Sequence, residues 1–125
     1  MPPSNRNVVY ELLFGEVPEK LKRRWAVQEK LGRSGMIDAL EHVRRVGIAE
    51  SPLPLKIQQL VHFAQLSVLN QEQAALLHGR AAVRAGATLE ELAGVAETAL
   101  ITSGVPGYAC ALGVLEKLIE EQDGK

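Results

Sequence analysis

Between residues 71 and 85, Gln71, Ala74, Ala75, His78, Ala81, Ala82 and Ala85 recur at helical spacing. One face of the predicted helix is therefore almost wholly methyl groups, with a single imidazole at its centre. No other stretch constrains the fold as much. Side chains this small let a neighbouring helix approach closely, so the face calls for a helix–helix seam. The spacing thus predicts that His78 is enclosed between helices. Its ring nitrogens then need a polar partner, because an unpaired buried group costs on the order of 1–3 kcal/mol.

Proline and glycine divide the rest of the chain into further helices. Residues 1–9 have no periodicity to hold them and are expected to form a loose arm. Residues 10–18 read as an apolar lead-in, and Pro18 suits the first turn of a helix running to about Leu31, stopped by Gly32. Ser34 is placed to cap a second helix to about Ile48, with Ile37, Leu40 and Val43 facing inward and Glu41, Arg44 and Arg45 left wet. Pro54 opens a third helix to about Leu69, whose inward stripe is Ile57, Leu60, Val61, Ala64 and Val68. On that helix His62 falls in a polar stripe with Gln58 and Gln65, while Gln59 lies with Phe63 and Leu66, so the spacing predicts that Gln59 and His62 point differently. Gly86 suits the left-handed position after the alanine-faced helix, and Thr88 with Glu91 forms a capping box. The following helix buries Leu92, Val95, Ala96, Ala99 and Leu100, and a last helix after Pro106 packs through Tyr108, Leu112, Leu115 and Ile119. Six helical patterns with short connections and no alternating strand predict one all-α domain over residues 1–125.

Composition narrows the function classes. Fourteen basic and fifteen acidic residues, interspersed, give a net charge of −1, which argues against a nucleic-acid partner. No run approaches the ~18–20 apolar residues that cross a bilayer, and the first residues lack the apolar segment of a secretory signal, so a cytoplasmic protein without a membrane partner is expected. Aromatics are only 4% of the chain. The core is left to alanine, valine and leucine, which bury little surface each, and additional burial in a homo-oligomer is expected. Cys110 is the lone cysteine, which excludes an intrachain disulfide. Three histidines without ligand spacing predict neither a metal site nor a cofactor.

From Leu53 onward the chain resembles the carboxymuconolactone decarboxylase and alkylhydroperoxidase D-like (AhpD-like) superfamily. The resemblance is carried by residues 53–60 (LPLKIQQL), by His78-Gly79-Arg80-Ala81-Ala82, by residues 85–92 (AGATLEEL) and by Gly104-Val105-Pro106, with residues 13–18 (LFGEVP) similar to the leading segment of many members. It implies an all-α fold assembled as trimers or hexamers. In the peroxidase branch a glutamate precedes the histidine by nineteen residues and two cysteines precede it by seven and four; here those positions hold Gln59, Gln71 and Ala74. Neither an amide nor a methyl group replaces sulfur, so dithiol peroxidase chemistry is not expected.

The decarboxylase branch keeps a histidine in a His-x-Arg-Ala-Ala setting that His78 and Arg80 reproduce, and needs no cysteine pair. The resemblance therefore implies a lyase acting on a small carboxylated or lactone substrate. His78 would be its acid or base and Gln59 would orient it, with Arg80, Gln71 and Ala74 as candidate substrate contacts. Arg80 projects roughly opposite to His78 on its own helix and would have to serve another seam. Two other readings stand beside this one: a non-catalytic oligomer that binds a ligand or partner, and a single-thiol peroxidase using Cys110. His62 is read as a polar-face residue, and Glu72 as a solvated first-turn glutamate.

Overall fold

Among the described residues, 6–124, the computed structural model holds seven α-helices and no strand. The all-α expectation stands, with one helix more than the periodicity predicted. The backbone groups into two compact units, one ending at Pro52 and the other beginning at Leu53. Of the expected loose arm, residues 1–5 lie outside the described residues. Val8 and Val9 instead belong to helix α1 (Val8–Phe14), which closes on Gly15 at φ 82°.

The first unit continues with α2 (Glu19–Lys30), α3 (Ser34–Arg44) and a short π-helical segment (Arg45–Ala49). Ser34 is the first helical residue rather than the cap, and Arg33 occupies the capping position with no side-chain bond. Arg6 joins the helices by pairing with Glu29 and Asp38, each at 2.6 Å. On α3 the expected inward face is corrected. Ile37 is buried as predicted, but Leu40 and Val43 are exposed and Glu41, expected wet, is only 2% exposed. Burial of Glu41 is tolerated because Tyr10 Oη donates to its Oε2 at 2.8 Å and Arg44 lies 3.8 Å away. Its second oxygen, Oε1, has no hydrogen-bond partner.

The second unit is a four-helix arrangement of α4 (Leu55–Val68), α5 (Glu72–Arg84), α6 (Leu89–Ser103) and α7 (Val105–Asp123). Its core joins Phe63 of α4, Ala75 and Ala82 of α5, Leu92 and Ala96 of α6, and Ala111, Val114, Leu115 and Leu118 of α7. The small-residue face of α5 is enclosed in part: Ala75, Ala81 and Ala82 are buried, Ala74, His78 and Ala85 are half-buried, and Gln71 is exposed. A Cβ on Gly79 would stand 3.3 Å from methyls of both Leu118 and Val114 and 3.6 Å from Phe63, so the neighbouring helices close onto bare backbone. Gly86, at φ 104°, ends α5, with Ala87 N–H donating to Ala82 O at 2.9 Å. The capping box is present: Glu91 N–H donates to Thr88 Oγ1 at 3.0 Å and Thr88 N–H donates to Glu91 Oε1 at 2.9 Å.

Two faces of this unit turn away from the expected direction. On α4 the buried residues are Gln59, Phe63 and Ser67, while Ile57, Val61 and Val68 of the expected inward stripe are exposed in the single chain. On α7 the buried line runs through Gly107, Cys110, Ala111, Val114, Leu115 and Leu118, and Leu112 and Ile119 are exposed. Both helices are apolar on more than one side, so periodicity alone cannot choose the inner one. Internal hydrogen bonds decide it on α4, because Ser67 Oγ donates to Phe63 O at 2.8 Å and Gln59 finds a partner on α5.

Candidate functional site

That partner is His78. Gln59 is completely enclosed, and its Oε1 lies 2.7 Å from His78 Nδ1. Gln59 Nε2 donates to Gln58 Oε1 at 3.4 Å, which turns Oε1 toward the ring. A carboxamide oxygen only accepts, so the proton of this bond sits on His78 Nδ1 and the lone pair of the neutral ring on Nε2. An enclosed amide thus selects the tautomer of a half-buried imidazole.

The sequence reading missed the third member of the site. The His62 ring lies against that of His78, with centroids 3.7 Å apart and planes tilted by 35°. Gln59 and His62 differ by three residues, about 60° around a helix, and both reach the same imidazole from one side of α4. The expectation that they point differently is therefore corrected. The available signal was this i, i+3 spacing across from His78, which was outweighed by the polar company of Gln58 and Gln65.

The other sequence candidates are dispersed. Arg80 Nε donates to Glu121 Oε2 on α7 at 2.9 Å, so its guanidinium is engaged on an exposed edge. Gln71 is exposed at the start of α5, where its carbonyl accepts from Ala75 N–H at 2.8 Å, and Ala74 is half-buried on the first turn. Glu72 pairs with Lys117 at 3.5 Å. Cys110 is 7% exposed, and burial, with the nearby Glu72 charge, pushes its thiol above the ordinary value. Among the described residues no three His, Cys, Asp or Glu side chains cluster as a metal site. No helix there is long and apolar enough to cross a membrane. An open, almost purely apolar hollow of about 450 Å³ lies on another flank of α4, against α6, lined by Ala64, Gln65, Val68, Leu69, Thr98, Ala99 and Thr102.

Residues 35–117 match the carboxymuconolactone decarboxylase family, and the chain belongs to that family. Its fold is similar to that of a crystal structure from Burkholderia xenovorans LB400, itself provisionally assigned as a carboxymuconolactone decarboxylase. The TM-score is 0.73 and the identity 23%, over 97% of this chain and 93% of that one. No curated protein matches the chain.

Proposed function

We propose that the chain is a cytoplasmic lyase of the carboxymuconolactone decarboxylase type, acting on a small carboxylated lactone. The observation that carries this reading is the 2.7 Å bond from His78 Nδ1 to the enclosed Gln59 amide, which holds a ring able to exchange protons near neutral pH against a partner that cannot titrate. In the step proposed, the bond between the ring carbon and the carboxylate breaks and carbon dioxide departs. The electron pair passes into the conjugated lactone carbonyl, and the carbon then takes a proton from Nε2 of the His78 imidazolium. His78 is left neutral and regains its proton from water. Gln59 holds the ring without titrating itself. Arg80, held by Glu121, is given no part in this step.

A homo-oligomer belongs to the same proposal. Ile57 and Val61 of α4, Ile101 of α6 and Leu112 and Ile119 of α7 are each more than 40% exposed in the lone chain, which supports burial against further copies. The single-thiol reading is weakened by the enclosure of Cys110 and its raised thiol. The apolar hollow between α4 and α6 favours a second reading, a non-catalytic binder of an apolar ligand.

Incubation with a panel of carboxylated lactones, following carbon dioxide release and deuterium uptake from heavy water, tests the proposal. Turnover abolished in H78N supports it. Absence of turnover with every lactone acid, or turnover unchanged in H78N, removes it.

A further inference from the structure

We propose that His62 and His78 act as one proton-holding unit, in which His62 is the positioning residue that sets how many protons the pair carries near neutral pH. This rests on the reading of His78 as the proton-bearing group of the site. The geometry is specific: the two rings stack at 3.7 Å between centroids, and Gln59 fixes the nitrogen through which His78 is anchored. One proton on the pair is favourable, because an imidazolium rests against the π-face of a neutral ring. A second proton would set two unit charges at that same 3.7 Å spacing. Coulomb repulsion then separates the two titration steps by roughly one pH unit in a water-like medium and about three at an effective dielectric of 20. The steps belong to the pair rather than to either ring.

Several groups around the pair are uncharged or engaged elsewhere. From α4, Gln58 and Gln59 are uncharged. From α7, the side chains closest to the backbone beside His78 are the apolar Val114 and Leu118. Of the charged groups of α5 and α7, Arg80 pairs with Glu121 and Glu72 with Lys117, Arg84, Glu116, Glu120 and Asp123 are exposed, and burial raises the Cys110 thiol above its ordinary value. From α6, which packs on α4, Glu91 is engaged by Lys56 at 2.9 Å. A pair confined to a single proton can deliver that proton or receive one without passing through a doubly charged state. That is the property a site needs when the same ring must both give a proton and recover it.

The test is a pH titration of the full chain, without substrate, following the Cε1–H proton resonances of the histidines by NMR. Assignments come from H62F and H78F, with His42 on α3 as the internal control. In the wild type, the His62 and His78 resonances are each expected to follow two inflections separated by at least one pH unit. In H62F, which keeps an aromatic face but removes the second proton site, His78 is expected to titrate in one step, while the His42 curve is unchanged. Single-step curves for both rings in the wild type, or a His78 midpoint that H62F moves by less than about 0.2 unit, overturn the proposal. If H62F loses its helical circular dichroism, the wild-type curves and the reciprocal H78F titration of His62 decide. Because no substrate is present, coupled titration without turnover would remove the lyase reading alone, whereas turnover without coupling would remove this one.

Discussion

Replacing Gln59 by leucine removes the amide while keeping a side chain of similar bulk in a fully enclosed position. The structural consequence falls on His78, whose Nδ1–H loses the acceptor now 2.7 Å away. Leaving that donor unsatisfied costs about 1–3 kcal/mol, against which the apolar leucine returns on the order of 1 kcal/mol of burial. A net loss of about 1 kcal/mol, and at most about 2 kcal/mol, is expected. With a urea m-value of about 2 kcal/mol/M, a loss of about 1 kcal/mol lowers the unfolding midpoint by roughly 0.5 M at fixed protein concentration. The informative comparison adds H78F, which keeps an aromatic ring against His62 but has no donor. If the amide–imidazole bond is the cause, Q59L/H78F should lose less than the sum of the single variants by about 1 kcal/mol. Additivity within about 0.4 kcal/mol would mean that the bond contributes nothing and that Gln59 is enclosed for another reason.

Further expectations concern the two units separately. Thr88→Ala removes one side of the capping box of α6 and should cost about 1 kcal/mol in urea unfolding. The backbone N–H of Thr88, and then Lys56, hold the Glu91 carboxyl below its ordinary value of 4.5, so stability from this group is present above that pH and lost as pH falls through its folded value. In the first unit, burial raises the Glu41 carboxyl above 4.5 despite the opposing Tyr10 bond and Arg44 charge. Its contribution is therefore largest below about 4.5 and declines as pH rises through the folded value. Glu41→Gln should accordingly gain stability relative to wild type between pH 4 and pH 7. A difference that stays flat across that range would refute the linkage.

The local features were legible because their causes are local. The glycine that ends α5, the reciprocal Thr88–Glu91 cap and the proline-initiated starts of α2 and α4 each follow from the backbone conformation or hydrogen bonding of neighbouring residues. The buried alanines of α5 were legible too, since alanine at contact spacing has few other uses, whereas Gly79 beside them was not. Which side of α4 and α7 turns inward was not. Each carries apolar residues on two sides, and a period of 3.6 describes either choice equally well.

Sequence alone therefore determined six of the helices, the ends set by proline, glycine or the Thr88–Glu91 cap, and the candidacy of His78 and Gln59, because spacing along one chain is enough to state all of these. Only the tertiary structure decided that Gln59 rather than the Ile57–Val61 stripe enters the interior, and that His62 joins His78. A buried amide and a stacked imidazole become favourable only once α5 supplies the hydrogen-bond donor and the second ring. That meeting depends on the close approach of two helices, a distance that no local pattern contains.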